Sequence, residues 1–258
     1  MDAIVTAGGI PHPGDPLYEF TQGSEKALLE VAGKPMIQWV LDAVCQADSV
    51  ERVVLIGLND GTGISCPKLA AFLPSHGEML DNLRAGTKKL LEFNPQLAYV
   101  LAVSSDIPAI TPQMVDWVAQ KVQETEHEAY YNVVTRAAME ARFPASNRSY
   151  VKLKDVEVCG GDMNVFRAKS VFGNQELWDR IIDARKNVLK QASLIGYDTL
   201  LLIMLRVLTL EKAAKLASKR LGIRGRAIVC PYAEIAMDVD KPHQLEIMRA
   251  FLSEHMPA

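Results

Sequence analysis

The chain has 258 residues, of which 49% are hydrophobic and 23% charged, so we expect one large domain with a sizeable core. Its formal net charge of −3 gives no support for nucleic-acid binding, which usually appears as a strong basic excess. The cysteines are far apart in sequence, which predicts reduced thiols in a cytoplasmic protein and no disulfide framework. They are Cys45, Cys66, Cys159 and Cys230.

Short apolar runs alternate with amphipathic segments through the first half of the chain. Strands are predicted at residues 2–6, 52–57, 98–103 and 129–135, and helices at residues 35–47, 78–93 and 111–123. Thr111 is the predicted N-cap of the last of these helices, with Pro112 in its first turn. The β-α repetition indicates a parallel sheet with helices on both faces, whose ligands lie beyond the carboxyl ends of the strands.

The pattern changes after residue 135. We predict a hairpin at residues 150–158, a break at Gly160 and Gly161, and a mostly helical stretch at residues 172–222. The stretch includes several basic residues near Arg180, Arg185, Lys186 and Lys190. The last predicted elements are strands at residues 227–230 and 234–239 and a helix at residues 242–255.

The most apolar stretch of the chain is residues 199–205. It is far shorter than the roughly 20 residues that a membrane-spanning helix needs. We therefore expect no transmembrane segment here, and instead a buried helix or a subunit contact. Together with the residues that follow as far as Leu210, this stretch favours a homodimer.

The N-terminal segment carries the strongest indication of chemistry. A short apolar strand ends in Ala7, Gly8 and Gly9, and Lys26 follows one loop later. Small residues at the end of a strand let a ligand approach the backbone closely, and a lysine nearby can reach a phosphate. Together these residues predict a nucleotide that is held by its phosphates.

Further motifs follow in an order typical of one enzyme family. They are Ala7-Gly8-Gly9, Lys26-Ala27-Leu28-Leu29, Gly33-Lys34-Pro35-Met36, Gly77-x-x-x-x-Asn82 with Gly86, Ser105-Asp106-Ile107-Pro108, Gly160-Gly161-Asp162-Met163-Asn164 and Asp238-Val239-Asp240-Lys241-Pro242. In this order the chain resembles the MobA-like nucleotidyltransferases, within the wider group of sugar-phosphate nucleotidylyltransferases. The resemblance implies a three-layer α/β/α fold of GT-A type with a mostly parallel mixed sheet. We predict a single domain, residues 1–258, with a nucleotide-binding half up to residue 135 and an acceptor-side half after it.

The resemblance also implies the reaction. An NMP group would pass from an NTP to a phosphorylated acceptor, such as a sugar, alditol or cofactor phosphate, with release of pyrophosphate and with Mg²⁺ as cofactor. The implied catalytic residues are Lys26 and Asp106. The implied nucleotide-binding residues are Ala7, Gly8, Gly9, Lys26, Gly77 and Asn82, and the acceptor-binding residues are Lys152, Gly161 and Asn164.

Two aspartates are the candidate metal ligands. Asp106 and Asp240 each follow a predicted strand, and two carboxylates suffice because Mg²⁺ also takes phosphate oxygens and water. Asp238 is an alternative to Asp240, since alternation along a strand would put both on one face. A structural role is open for both candidates: Asp106 could cap a turn, and Asp240 could cap the final helix.

One departure from the family pattern leaves other functions open. No arginine lies between Gly9 and Lys26, where the family uses one to hold the outgoing pyrophosphate, although His12, Lys34 or a distant arginine could substitute. The alternatives are a GT-A glycosyltransferase, with Ser104-Ser105-Asp106 as a reduced metal motif, and a catalytically silent nucleotide-binding module. An NAD-binding Rossmann protein is disfavoured because no GxGxxG follows the first strand. The motifs specify neither the base of the NTP nor the acceptor.

Overall fold

The computed structural model describes residues 1–60, 62–173 and 197–255. Part of the predicted helical stretch at residues 172–222 therefore lies outside the described residues. The same is true of the basic residues Arg180, Arg185, Lys186 and Lys190.

A mixed sheet forms the centre of the molecule. In chain order the strands are β1 (Asp2–Thr6), β2 (Glu30–Val31), β3 (Lys34–Pro35), β4 (Val53–Ile56), β5 (Leu69–Leu73), β6 (Tyr99–Ser104), β7 (Ala129–Thr135), β8 (Val151–Lys152), β9 (Glu157–Gly160), β10 (Met163–Arg167) and β11 (Gly225–Cys230). The strand order in the main sheet is β5-β4-β1-β6-β10-β7-β9-β8, with β11 also paired to β7, and β2 and β3 pair separately.

Strand direction decides which loops meet at the site. Strands β5, β4, β1 and β6 are parallel neighbours, and β11 is parallel to β7. Strand β10 is antiparallel to both of its neighbours, β6 and β7, and β9 is antiparallel to β7 and β8. The sheet is therefore mixed and mostly parallel, with β9 and β10 running against the other strands.

Helices cover both faces of the sheet. They are Tyr18–Thr21, Met36–Gln46, Met79–Phe93, Pro112–Gln123, Arg136–Arg142, Tyr197–Met204, Leu210–Leu221 and Pro242–His255, with short 3₁₀ helices at Lys26–Leu28, Ala168–Phe172 and Ala233–Ala236. Successive residues of a strand point to opposite faces. Accordingly, Val5 packs in the large core with Val40, whereas Ile4 packs in a second cluster with Leu90. Among the described helices, none combines the length and apolarity needed to cross a membrane.

Most of the predicted elements are confirmed, but one strand is wrong. Residues 234–239, predicted as a strand, do not form one: residues 234–236 belong to the 3₁₀ helix Ala233–Ala236, and the amide of Met237 donates to the carbonyl of Glu234. Ala233, Ile235, Ala236 and Met237 are all buried, so this apolar run does not have the one-sided burial of a strand. Asp238 and Asp240 therefore do not lie on one strand. Thr111 holds the N-cap position before Pro112, but its side chain makes no capping hydrogen bond.

The prediction of reduced thiols is wrong for two of the cysteines. Cys45 and Cys66 form a disulfide, with their Cα atoms 6.0 Å apart. The fold brings them together because the loop after β4 packs against the Met36–Gln46 helix. Two hydrogen bonds of 2.8 Å hold the loop there: Gln38 Nε2 donates to the Ser65 carbonyl, and Gln38 Oε1 accepts from the Ser65 amide. Cys159 and Cys230 are free and buried, as predicted.

Candidate active site

A cavity of about 440 Å³ lies at the carboxyl ends of β1 and β6, beside the first turn of the Met79–Phe93 helix. Its lining includes every residue predicted to bind the nucleotide, together with Asp106. These residues are Ala7, Gly8, Gly9, Lys26, Gly77 and Asn82. The structure thus gathers into one cavity residues that are up to 99 positions apart in sequence, from 7 to 106.

Close packing shapes the glycine-containing loop of this cavity. A β carbon on Gly8 would lie 2.8 Å from Ser75 Oγ, and one on Gly57 would overlap the backbone nitrogen of Gly8. The carbonyl of Gly9 accepts a hydrogen bond of 2.9 Å from the amide of Lys26. The loop is therefore held by Ser75 and Gly57 near Gly8 and by Lys26 at Gly9. Because Gly8 and Gly9 have no side chains, a ligand can approach their backbone closely.

Asn82 holds the opposite wall of the cavity. Its Oδ1 accepts a 2.7 Å hydrogen bond from the amide of His76, and the residue is only 6% exposed. The amide of Gly77 donates to Ser75 Oγ at 3.3 Å. Asn82 thus orders the loop at residues 75–77 through its carbonyl oxygen.

Lys26 bridges two carboxylates at the edge of the cavity. Its Nζ lies 2.6 Å from Asp106 Oδ2 and 2.6 Å from Asp240 Oδ1. Burial alone would lower the pKa of Lys26, but the carboxylates of Asp106 and Asp240 outweigh it, and the pKa is raised above its ordinary value of 10.5. The ammonium group is therefore charged at neutral pH.

Asp240 and Asp238 have different partners. Asp240 faces Lys26, and its amide donates to Gln244 Oε1 at 2.9 Å, which fixes the start of the Pro242–His255 helix. Asp238 forms an ion pair with Arg148 in which both side chains are largely buried. The two aspartates thus point to separate groups, contrary to the expectation that they share one face.

Asp162 is a further acidic residue at the site, and it was not among the predicted site residues. Its carbonyl accepts a 2.9 Å hydrogen bond from the amide of Ser104, at the end of β6. Burial and then the nearby Asp106 carboxylate raise the pKa of Asp162 to about 7, against the opposing effect of Arg148. The position of Asp162 in the Gly160–Asn164 motif was the one sequence signal that could have identified it. Its proximity to Asp106 depends on the direction in which β10 runs, which the sequence does not show.

The site carries more negative than positive charge. With all carboxylates ionised, Asp106, Asp162, Asp238 and Asp240 contribute −4, and Lys26 and Arg148 contribute +2, which leaves −2. Oδ1 of Asp106 is buried and has no hydrogen-bond partner among the described residues. A carboxylate oxygen of this kind fits a divalent cation.

The donor set limits which cation would fit. In the part of the chain that the structure describes, no three His, Cys, Asp or Glu side chains are grouped closely enough to hold a metal alone. Asp106 and Asp240 would therefore need phosphate oxygens and water to complete the shell, an arrangement typical of Mg²⁺.

The predicted acceptor-binding residues are placed differently. The side-chain amide of Asn164 is hydrogen-bonded to backbone groups of the protein. Its Oδ1 accepts from the amide of Asn132 at 2.8 Å, and its Nδ2 donates to the carbonyl of Gly161 at 2.8 Å. A β carbon on Gly161 would lie 3.0 Å from Ile235 Cδ1. Lys152 lies exposed on β8, at the outer edge of the sheet, and does not line the cavity.

The expected substitutes for the missing arginine do not line the cavity either. Lys34 pairs with Asp42 and lies over the ring of Trp39, 3.8 Å from its centroid. His12 is exposed, and its amide donates to Asp15 Oδ2 at 2.7 Å. Among the described residues, the lining of the cavity includes no arginine.

Comparison with known proteins agrees with this architecture. A solved structure described as a hypothetical transferase from Thermus thermophilus is 34% identical, covers 95% of this chain and 98% of that chain, and superposes with a TM-score of 0.81. A probable molybdenum cofactor guanylyltransferase from Thermococcus kodakarensis is 23% identical over 42% of this chain and 50% of its own length. A 3-deoxy-manno-octulosonate cytidylyltransferase from Pseudomonas syringae is 34% identical over 38% of this chain and 39% of its own length.

The chain spans half or less of the length of these two curated relatives. The family match is longer, because residues 20–168 fit the model of the MobA-like NTP transferase domain. That match covers more than half of the 258 residues. The chain therefore belongs to the MobA-like NTP transferase family.

Proposed function

We propose that the protein is a Mg²⁺-dependent nucleotidyltransferase, which moves an NMP group from an NTP to a phosphorylated small-molecule acceptor and releases pyrophosphate. The observation that carries this proposal is the position of the Lys26 ammonium, 2.6 Å from both Asp106 and Asp240 at the edge of a glycine-lined cavity. Such a site combines a fixed cation for phosphate with carboxylates for a metal.

Lys26 has a defined role in this reaction. The acceptor phosphate attacks the α-phosphorus in line, the bond between the α-phosphorus and the bridging oxygen breaks, and pyrophosphate leaves with that electron pair. Negative charge on the α-phosphoryl oxygens is stabilised by the ammonium group, which the raised pKa keeps protonated. Because a phosphate nucleophile is already ionised near neutral pH, no protein base is needed.

The charge of the site supports a requirement for a divalent cation. With Asp162 ionised, the net charge of −2 would repel the polyphosphate of an NTP, and a bound Mg²⁺ would cancel that charge. Asp106 and Asp240 would hold the ion, which when bound supplies charge neutralisation and orientation of the triphosphate. The backbone of residues 7–9 and the loop fixed by Asn82 would hold the base and ribose.

One observation favours a second candidate, nucleotide binding without turnover. No arginine lies among the described residues that line the cavity, so a group that would hold the outgoing pyrophosphate is missing there. A regulatory module of this kind would bind an NTP with Mg²⁺ and release no pyrophosphate.

One experiment separates these functions. Each of the common NTPs is added with and without Mg²⁺, beginning with GTP and CTP because the named relatives are a guanylyltransferase and a cytidylyltransferase. The melting temperature is recorded, and pyrophosphate is measured with a panel of sugar, alditol and cofactor phosphates. We expect one NTP to raise the melting temperature only with Mg²⁺ and to support pyrophosphate release.

Variants sharpen this test. Asp106→Asn should lower pyrophosphate release by about 100-fold or more, whereas Asp48→Asn, an exposed aspartate before β4, should leave it unchanged. Full activity of Asp106→Asn, or no effect of any NTP on the melting temperature, would contradict the proposal. A Mg²⁺-dependent shift without pyrophosphate from any acceptor would favour the silent module.

We further propose a homodimer that forms through the apolar surface around the Tyr197–Met204 helix. Leu201, Met204 and Leu205 are 55%, 79% and 63% exposed. Sedimentation should show a dimer for the wild-type protein and a monomer for Met204→Glu, and a wild-type monomer at all concentrations would contradict this.

A cytoplasmic location stays a prediction. Reduced thiols no longer support it, because Cys45 and Cys66 form a disulfide.

A further inference from the structure

The Cys45–Cys66 disulfide ties the start of β5 to a helix. Cys45 is buried near the end of the Met36–Gln46 helix, whereas Cys66 is half-buried in the loop that joins β4 to β5. The carbonyl of Cys66 accepts a 3.0 Å hydrogen bond from the amide of Leu69, the first residue of β5. The disulfide therefore anchors the point from which β5 begins.

The other end of β5 leads into the nucleotide cavity. Strand β5 ends at Leu73, and Ser75 and Gly77, which follow it, line the cavity. The carbonyl of Leu73 accepts a 2.9 Å hydrogen bond from the amide of Gly57, and a β carbon on Gly8 would lie 2.8 Å from Ser75 Oγ. A shift of β5 along its own direction would therefore move part of the cavity wall and disturb the packing around Gly8.

The side chains of β5 fix its register only weakly. The strand lies at one edge of the sheet, where it pairs with β4. Residues Leu69–Leu73 are all half-buried, so a slip by one residue would not move a buried face into water. The register against β4 already shifts by one residue between Val53 and Val54, an irregularity typical of sheet edges. The register of β5 thus depends on the contacts at its start.

Besides the disulfide, hydrogen bonds hold the segment that precedes β5. Gln38 bonds to the backbone of Ser65 through both polar atoms of its side chain, and Lys68 Nζ donates to the carbonyl of Ala47 at 2.6 Å. Ser65 is exposed and Lys68 is half-buried, so water can replace these bonds at small cost. The disulfide is the contact in this group that cannot open without a chemical step.

We propose that the Cys45–Cys66 disulfide is a redox switch for nucleotide binding. In the oxidised protein, β5 is held in the register that places Ser75 and Gly77 in the cavity wall, and in the reduced protein this register is only partly populated. The apparent Kd of a ligand rises as the binding-competent fraction falls, so reduction weakens NTP binding. This inference rests on the proposed nucleotide site and adds regulation of that site.

A dithiol supplies the electrons for the switch. Its thiolate attacks Sγ of Cys66, whose neighbours Ser65 and Pro67 are exposed, the S–S bond breaks, and Cys45 leaves as a thiolate that takes up a proton. The second thiol of the reductant then attacks the mixed disulfide and releases Cys66, which is protonated in turn. Two cysteine thiols form as the dithiol becomes a disulfide.

The test measures NTP binding in both redox states. The Kd of the NTP that raises the melting temperature most is determined with Mg²⁺ in the oxidised protein, after reduction by dithiothreitol, and after reoxidation by glutathione disulfide, at a temperature where all samples are folded. We expect reduction to raise the Kd by about tenfold or more and reoxidation to restore it. The Cys45→Ala, Cys66→Ala double variant should have the higher Kd with and without dithiothreitol.

Two controls separate the switch from a general loss of stability. Hydrogen exchange, followed by mass spectrometry, should become about tenfold faster on reduction in residues 69–77 and change less than about twofold in residues 99–104 of β6. Val158→Ala opens a buried cluster on β9, near the other end of the strand order from β5. It should lower the melting temperature but keep the wild-type Kd in each redox state.

Any of four results would overturn the inference. They are a Kd that agrees within about twofold between the oxidised and reduced protein, a double variant that binds as tightly as the oxidised wild type, a Kd raised as much by Val158→Ala as by reduction, and exchange of residues 69–77 that does not depend on the redox state. Failure of the proposed function looks different, because no NTP would then bind even the oxidised protein. In that case the inference falls with it.

Discussion

Gly57 packs against the backbone of Gly8 so closely that a β carbon on Gly57 would overlap the Gly8 nitrogen and lie 2.9 Å from the carbonyl carbon of Ala7. The two glycines follow neighbouring parallel strands, β4 and β1. The shape of the nucleotide loop therefore depends on a residue that does not line the cavity.

Gly57→Ala should damage both the fold and the nucleotide loop. Gly57 has a φ of +102°, so alanine adds backbone strain as well as overlap, and we expect a loss of about 2–3 kcal/mol in the free energy of unfolding. Gly63→Ala is the matched control, because Gly63 also has a positive φ, +75°, but a β carbon there would have nothing within 4 Å. Urea unfolding and the NTP-dependent melting shift measure the two effects, and equal results for both variants would contradict the role of Gly57.

Lys26→Met should abolish most of the catalysis. Loss of the ammonium removes the fixed positive charge beside the α-phosphate, and we expect kcat for pyrophosphate release to fall by about 100- to 1,000-fold. Lys34→Met is the control, since Lys34 is paired with Asp42 outside the cavity and should change kcat less than about twofold. Retention of more than about a tenth of wild-type kcat by Lys26→Met would exclude Lys26 from this role.

Arg148→Ala should destabilise the protein strongly. The variant leaves Asp238, whose side chain is only 13% exposed, without its ion-pair partner, and we expect a loss of about 3 kcal/mol in the free energy of unfolding. Arg136→Ala removes the ion pairs of an exposed arginine with Glu140 and Glu157 and should lose less than about 1 kcal/mol. Adding Asp238→Asn to Arg148→Ala should recover part of the loss. Equal losses from the two arginine variants in urea unfolding would refute the structural role of Arg148.

The stability of the ligand-free protein should fall as Asp162 ionises. Its pKa is about 7 in the folded protein, above the ordinary value of 3.8, so the native state binds this proton more tightly than the unfolded state. The resulting stabilisation is complete below the ordinary pKa and is lost as the pH rises through about 7. Asp162→Asn should therefore gain stability relative to wild type between about pH 4 and pH 8. Urea unfolding across this range with EDTA checks it, and a constant difference between the two proteins would count against the shift.

Reduction of the Cys45–Cys66 disulfide should weaken the fold. The bond closes a loop across 21 positions, and such a constraint contributes about 3 kcal/mol through the unfolded chain. Dithiothreitol should lower the urea midpoint of the wild-type protein and leave that of a Cys45→Ala, Cys66→Ala double variant unchanged. Alkylation of the denatured, unreduced protein at all four cysteines would show that the bond is absent.

The sequence predicted those parts of the fold and site that depend on local pattern. Strands such as β1 and helices such as Met36–Gln46 have the expected periodicity, and the motifs around Lys26 and Asp106 meet in one cavity. Strand β5 was missed because its residues, Leu69–Leu73, are all half-buried and show no alternation. The segment after Tyr232 was assigned wrongly because burial on several sides produces an apolar run that resembles a strand.

Long-range geometry accounts for the remaining differences. Asn164 is typical of the acceptor motif, but whether its amide is free depends on the register of β10 beside Asn132. The neighbours of Asp162 depend on β10 running antiparallel to β6, and the Cys45–Cys66 bond depends on how a loop packs on a helix. None of these relations has a local sequence pattern.

The reversed direction of β10 has a consequence for how the specificity of this fold can change. The segment between β7 and β10 starts and finishes at the same end of these two antiparallel strands, adds β8 and β9 to the sheet, and carries Arg148 and Asp162. Under the proposed function, substitutions in the loops of this segment would change the surroundings of Asp162, whereas β1 and β6 and the residues on them would keep their positions. Acceptor choice and nucleotide choice would then be open to independent variation in one chain.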